Sequence, residues 1–137
     1  MQVTECEIRV RSTDMDADGI VNNARYFEYF EQARLEHLIA LEIVVRPRPP
    51  GERRRTFTIA ETTCRYLASA RHRDRLLARA WTDEIRQRSF ILGYEIVRVD
   101  DGVRLATGSS AQVWLDDGGK PAPLPPTVRE ALERSRV

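Results

Sequence analysis

The stretch DMDADGIVNNARYFEYFEQAR, residues 14–34, passes from a polar loop into an apolar helix. Its first ten residues are rich in Asp, Asn and Gly, and they end in Asn22 and Asn23, which are both favoured helix N-caps. From residue 24 to residue 41, apolar side chains fall within about half of the helical circumference and polar ones fall opposite. The stretch therefore predicts a loop that leads into one long helix with an apolar face. Its apolar positions are Tyr26, Phe27, Tyr29, Phe30, Ala33, Leu38 and Leu41.

The segments on either side of this helix have the pattern of β-strands. Residues 5–10 alternate between charged and apolar side chains, and a period of two is typical of a half-buried strand. After the helix, three prolines and one glycine within residues 46–55 predict a basic connecting loop. Four further strands follow without a helix between them. They are expected at residues 56–68, 75–86, 89–99 and 103–115.

The order of these elements predicts an α+β fold. Short joints, including the hairpin signal Asp101-Gly102, favour an antiparallel meander of the four strands. One apolar helix on one face of a single antiparallel sheet is an economical layering, and the sheet edges invite pairing with a second copy. After a proline-rich turn, residues 127–136 form a short helix with Thr127 as the expected N-cap. No repeat or second domain is evident, so residues 1–137 are expected to form one domain.

The composition excludes several broad classes of protein. The chain has 22 basic and 21 acidic residues, a net charge of +1 (22 − 21), so we expect neither nucleic acid nor an anionic membrane as a partner. With 42% hydrophobic and 31% charged residues, it is typical of a folded, soluble protein without a membrane span. No signal-peptide pattern opens the sequence, so the cytoplasm is the expected location. Cys6 and Cys64 lack metal-ligand spacing, which favours buried, reduced thiols.

The inventory of reactive side chains directs attention to the Asp-rich loop. The sequence contains no nucleophile elbow, redox cysteine pair, zinc-protease motif or phosphate-binding glycine loop. Of the two histidines, His37 lies in the apolar stripe of the helix, where a packing role is expected. His72 lies in the arginine-rich turn RHRD, where we expect it to be solvated. Neither a metal nor a cofactor is expected.

The Asp-rich loop itself has three interpretations. It is either a turn of loop-forming and helix-capping residues, a calcium loop, or an active site. Asp14, Asp16 and Asp18 match alternate positions of an EF-hand loop, but Arg25 stands where a bidentate Glu is required. In an active site, a carboxylate would lie beside the free N–H groups of a helix N-terminus, which stabilise a developing oxyanion.

The string DMDADGIVNNARYFEYFEQAR resembles the first motif of the 4-hydroxybenzoyl-CoA thioesterase branch of the hotdog-fold superfamily. That motif reads D-x-D-x-x-G-[IHV]-V and is followed by a Tyr-rich helix. A second segment, EIRQRSFILGYEI at residues 84–96, is similar to the family's basic-Ser-Phe strand start. The resemblance implies a hotdog fold, an antiparallel sheet wrapped around one long central helix, over nearly the whole chain. It also implies hydrolysis of an acyl thioester of CoA or of an acyl carrier protein.

The resemblance assigns roles to individual residues. The family's catalytic carboxylate is the second Asp of the motif, here Asp16, which acts as nucleophile through an acyl-enzyme anhydride or as general base on water. The family's oxyanion donor is a backbone N–H seven positions later, which falls on Asn23. The second segment implies that Arg86, Arg88 and Ser89 bind substrate, with the arginines on the phosphates of CoA.

Two of these assignments have alternatives. Tyr26 and the aromatic residues beside it either line the acyl pocket or belong to the core. A rival set of phosphate-binding arginines precedes the second strand: Arg46, Arg48, Arg53, Arg54 and Arg55.

The chain also departs from its family. Ile20 stands where many relatives have His in the motif, and Asn23 stands where others have His, so no second titrating side chain is evident near the Asp. Two functions remain as alternatives to an acyl-CoA or acyl carrier protein thioesterase. One is another hotdog enzyme, such as a dehydratase or a polyketide-pathway thioesterase, and the other is a non-catalytic acyl-thioester binder. Because the family's sites form between subunits, a homodimer or homotetramer is expected.

Overall fold

The computed structural model describes residues 1–53 and 55–137, so Arg54 of the rival arginine set lies outside the described residues. A single 3-10 turn, Ser12–Asp14, follows the first strand. Every predicted element is present, with ends that differ by one or two residues. The elements are β1 (Val3–Arg9), α1 (Arg25–Ala40), β2 (Phe57–Tyr66), β3 (Arg75–Ile85), β4 (Ser89–Arg98), β5 (Arg104–Trp114) and α2 (Pro126–Arg136).

The strands form one antiparallel sheet in the order β1-β3-β4-β5-β2. The expected four-strand meander is correct for β3 to β5 and wrong for β2, because residues 67–74 carry the chain across the sheet and leave β2 at the edge beside β5. Arg9, which ends β1, lies opposite Arg75, and we call this end of the sheet the loop end. The opposite end, where residues 86–88 join β3 to β4, is the hairpin end.

One face of α1 packs on this sheet and contacts β1, β2, β3 and β4. Its buried positions recur every three or four residues, as expected of a helix face that packs in a core, while Phe27 is half-buried. A Cβ at Gly108 would overlap the ring of Phe30 and the carbonyl oxygen of Thr63, so the glycine lets the helix approach the sheet. The buried residues of α1 are Tyr26, Tyr29, Phe30, Ala33, His37 and Leu38.

A chain of hydrogen bonds through His37 connects four elements inside the core. The imidazole is fully buried, with Nδ1 2.8 Å from Thr4 Oγ1 and Nε2 3.1 Å from Thr82 Oγ1. The hydroxyl of Ser135, in α2, donates to Thr82 Oγ1 at 2.7 Å. Burial lowers the pKa of His37 from 6.5 to about 4, which keeps the ring neutral at pH 7. The predicted packing role of His37 is therefore confirmed.

Two smaller expectations are wrong. Thr127 is not an N-cap, because α2 begins one residue earlier at Pro126, whose fixed φ and missing N–H suit the first helical position. Cys6 and Cys64 are free thiols, as expected, but each is only half-buried.

Among the residues that the structure describes, no helix combines the length and hydropathy that a membrane span requires.

Candidate active site

The Asp-rich loop folds back on itself at the loop end of the sheet. Asp16 N–H donates to the carbonyl of Ile20 at 2.8 Å, and Asn22 N–H donates to the carbonyl of Asp14 at 2.8 Å. Gly19 makes the reversal with a φ of 80°, a left-handed conformation that glycine adopts without steric cost. Residues 14–16 and 20–22 therefore form a miniature hairpin directly before α1.

Asp14 is the carboxylate that anchors this loop. It is fully buried, and it accepts hydrogen bonds from the Arg11 backbone N–H, the Arg11 guanidinium and the Tyr29 hydroxyl, each at 2.9 Å. Burial raises the pKa of Asp14, but the bonds from Arg11 and Tyr29 outweigh it and hold the pKa below its usual value. The same burial, together with the Asp14 carboxylate, raises the pKa of Tyr29. Asp14 therefore has a structural role: it anchors the loop to α1 through the Tyr29 hydroxyl.

Asp16 lies at the tip of the miniature hairpin, and its carboxylate is exposed to solvent. Its Oδ1 accepts the backbone N–H groups of Asp18 at 2.8 Å and Ile20 at 3.4 Å. Within residues 1–53 and 55–137, no donor reaches Oδ2. The bonds to Oδ1 are Asx-type bonds, in which the Asp16 side chain closes the turn of its own loop. One oxygen of Asp16 is thus fixed while the other remains open.

The N-terminus of α1 leaves one backbone donor available. The cap position is Ala24, and the Asn22 side chain accepts the Ala24 N–H at 2.9 Å, while the Asn22 carbonyl accepts the Arg25 N–H at 2.9 Å. For the part of the chain that the structure describes, the Asn23 N–H has no protein acceptor. The Tyr66 hydroxyl, from the end of β2, donates to the Asn23 carbonyl at 2.9 Å and so holds this peptide from the other side.

The remaining predicted residues do not join this group within one chain. Tyr26 is 2% exposed, and its hydroxyl accepts the Ala70 N–H at 3.2 Å, so it packs in the core. Arg86 and Arg88 are exposed and Ser89 is half-buried, and all three lie at the hairpin end. β3 separates that end from the loop end by roughly 33 Å, since its eleven residues rise about 3.3 Å each. The Arg86 guanidinium pairs with its neighbour on β3, Glu84, at 3.0 Å.

Neither the histidines nor a cluster of metal-ligating side chains adds a second reactive group beside Asp16 in the described part of the chain. His72 is exposed on the turn before β3, as expected. No group of three or more metal-ligating side chains is present in the described ranges. Sequence reasoning missed Arg11, Tyr29 and Tyr66, which position the loop and the helix N-terminus. The bond from Arg11 to Asp14 is local and spans three residues, whereas Tyr29 and Tyr66 act across 15 and 43 residues, and only the tertiary structure brings these partners together.

Comparison with known proteins decides the family. A profile of the thioesterase-like superfamily matches residues 10–132. The chain belongs to this superfamily. An acyl-acyl carrier protein thioesterase of Arabidopsis thaliana, ATL3, is 27% identical over 129 residues, covering 91% of this chain and 65% of that protein. The chain thus spans about two thirds of that relative's length.

Two further members of the superfamily match nearly end to end. The acyl-CoA thioesterase YbgC of Haemophilus influenzae is 26% identical over 127 residues, covering 91% of this chain and 90% of that protein. A thioesterase from Thermus thermophilus, solved in complex with coenzyme A and zinc, superposes with a TM-score of 0.80 at 27% identity, covering 95% of this chain and 92% of that one. The predicted α+β hotdog fold is confirmed.

Proposed function

We propose that this chain hydrolyses an acyl thioester at the loop end, with Asp16 as the reacting carboxylate and the Asn23 N–H as the oxyanion donor. The observation that carries the proposal is one short loop that leaves a carboxylate oxygen of Asp16 open and, at the helix N-terminus it leads into, leaves the Asn23 N–H unengaged. The neighbouring N–H groups of Asn22, Ala24 and Arg25 already have acceptors. The relatives that are named thioesterases support the same reaction.

The chemistry follows two possible routes from this geometry. As a nucleophile, the Asp16 carboxylate attacks the thioester carbonyl, expels the thiolate and forms an anhydride that water then hydrolyses. As a general base, it takes a proton from water while that water attacks the carbonyl. In both routes negative charge develops on the carbonyl oxygen, and the fixed Asn23 N–H stabilises it without reorganisation. Both routes require the ionised carboxylate.

A second copy of the chain would complete the substrate site. β2 is an edge strand that pairs with β5 and is exposed along most of its length. Two β2 strands that pair antiparallel about a two-fold axis place the hairpin end of one copy beside the loop end of the other. Arg86, Arg88 and Ser89 of one copy would then approach the thioester held at Asp16 of the other. We therefore propose a homodimer as the smallest active unit, with CoA phosphates on these arginines.

The alternative activities have less support. A hotdog dehydratase pairs a histidine with a carboxylate. Here both ring nitrogens of His37 are engaged inside the core, and His72 lies on an exposed turn. A non-catalytic acyl-thioester binder would need the same loop without turnover, so measurement of hydrolysis separates it from an enzyme.

The test is a hydrolysis panel of aryl-CoA, of short-, medium- and long-chain acyl-CoA, and of acyl carrier protein thioesters. On the best substrate, Asp16→Asn should lower kcat by at least about 100-fold, because it keeps the shape and removes the charge. Asp18→Asn is the matched control, since its side chain is exposed on the same loop, and it should retain kcat. Asp16→Asn with near wild-type kcat would refute the assignment, and a wild-type chain that binds but never hydrolyses these thioesters would refute the enzyme.

A further inference from the structure

A cluster of basic side chains borders the Asp16 loop, and apart from Arg11, which holds Asp14, its members have no role in the site described above. We call it the arginine patch: Arg9, Arg11, Arg71, His72 and Arg73. All five are exposed, and four of them line one open depression of about 440 Å³ together with Val10. Arg71 lies next to this depression, and its backbone bridges Ile20 of the Asp-rich loop. The patch thus borders the loop that carries Asp16.

The acidic residues nearest the patch are already engaged. Asp14 is buried against Arg11, and Asp74 accepts the Arg98 guanidinium at 3.1 Å and the Arg71 backbone N–H at 2.9 Å. Glu7 pairs with Arg75 at 3.0 Å. Within residues 1–53 and 55–137, no carboxylate lies within 4.0 Å of the guanidinium groups of the other patch arginines. These are Arg9, Arg71 and Arg73.

The backbone of the patch places one of these charges on an exposed turn. Arg73 has a φ of 69°, in the left-handed region where glycine or asparagine costs less. This conformation turns the chain tightly before β3, so the Arg73 side chain stands at the tip of an exposed turn.

We propose that the arginine patch docks the acidic surface of an acyl carrier protein that delivers its thioester to Asp16. This proposal rests on the proposed function. The charges come from two separated segments and spread over an open surface, which suits several dispersed carboxylates of a protein. The described lining of the depression is three arginines, His72 and Val10, with no Phe, Tyr or Trp, so its open cationic chemistry fits an acidic protein better than the nucleotide of CoA. Exposed arginines raise the association rate with such a partner by electrostatic steering.

The experiment compares one acyl group presented on two carriers. In the triple variant Arg9→Gln/Arg71→Gln/Arg73→Asn, kcat/KM for the acyl carrier protein thioester should fall at least tenfold, which is about 1.4 kcal/mol of transition-state binding. For the acyl-CoA of the same chain length, kcat/KM should change less than threefold. Retained activity on acyl-CoA also shows that the variant is folded. The matched control, Arg9→Lys/Arg71→Lys/Arg73→Lys, keeps the charge and should retain most activity toward the carrier protein thioester. Added salt should lower the wild-type activity toward the carrier protein thioester more than toward acyl-CoA.

Direct binding separates this proposal from the proposed function. The probe is an acyl carrier protein whose acyl group is held by a thioether that cannot be hydrolysed, titrated against wild type and both variants. A tenfold weaker Kd for the neutral variant supports the patch even if the wild-type chain hydrolyses nothing. Equal Kd values for the two variants, or equal losses on acyl-CoA and on the carrier protein thioester, would overturn it.

Discussion

The buried imidazole of His37 makes the stability of this fold sensitive to mild acid. The ring is neutral in the folded state because burial lowers its pKa to about 4, whereas in the unfolded chain the pKa returns to 6.5. As the pH falls through this window, the unfolded state takes up a proton that the folded state excludes, and the free energy of unfolding decreases. The contribution is therefore complete above pH 6.5 and is lost toward pH 4.

The size of the effect follows from the difference in pKa. One pKa unit corresponds to about 1.4 kcal/mol, so a fall from 6.5 to about 4 corresponds to a loss of about 3 kcal/mol. About 2 kcal/mol of this should disappear between pH 7 and pH 5. Asp14, whose pKa is also lowered, loses its contribution only below its ordinary value of 3.8, so the two groups act in different pH ranges.

The assay is urea denaturation at pH 7, 6 and 5 for wild type and His37→Gln, which replaces the imidazole with a polar group that does not titrate. Other groups titrate in both proteins, so their contributions cancel in the difference. The variant should be less stable at pH 7, and the gap between the two proteins should shrink by about 2 kcal/mol by pH 5. A gap that stays constant over this range would refute the reasoning, because the imidazole would then have the same pKa in both states.

Two further substitutions test the helix packing and the helix N-terminus. Gly108→Ala should lower the free energy of unfolding by about 2 kcal/mol, because the new methyl group overlaps the Phe30 ring and the Thr63 carbonyl; denaturation measures it, and unchanged stability would contradict this packing. Tyr66→Phe removes only the hydroxyl that holds the Asn23 carbonyl, so kcat should fall severalfold at unchanged stability, and an unaltered kcat would show that this bond does not position the N–H.

Sequence patterns predicted the helices and strands of this fold because each element depends mainly on residues that are close together in the chain. The apolar spacing from residue 24 to residue 41 and the period-two alternation of the strands each record which face is buried. The edge position of β2, in contrast, depends on contacts between residues that are far apart in the sequence. It depends on how residues 67–74 cross the loop end, where the Val21 N–H donates to the Ala70 carbonyl at 2.9 Å, and no pattern within β2 records that contact.

The candidate site was predictable in its residue types and less so in its geometry. The motif pointed to Asp16 and Asn23. That Asp14 is the buried anchor, while Asp16 stays exposed, depends on the bonds to Asp14 from Arg11 and from Tyr29, one helical turn inside α1. The separation of Arg86 from Asp16 follows from the antiparallel pairing of β1 with β3, which sets Arg9 opposite Arg75, and no local sequence pattern records that pairing. In the same way, Pro126 displaced Thr127 from the helix start, because both suit a first turn and the proline comes first.

The hydrogen-bonded chain from Thr4 through His37 and Thr82 to Ser135 has a consequence for local unfolding. α2 has only eleven residues, too few to be a stable helix in isolation. Detaching it would leave the Thr82 hydroxyl without the Ser135 donor and would also break the bond from Gln2 N–H to the Ser135 carbonyl at 2.7 Å. Opening at the C-terminal helix therefore disturbs the start of β1 and the last turn of α1 at once. The helix should exchange its amide protons only when the sheet does, as part of one cooperative unit.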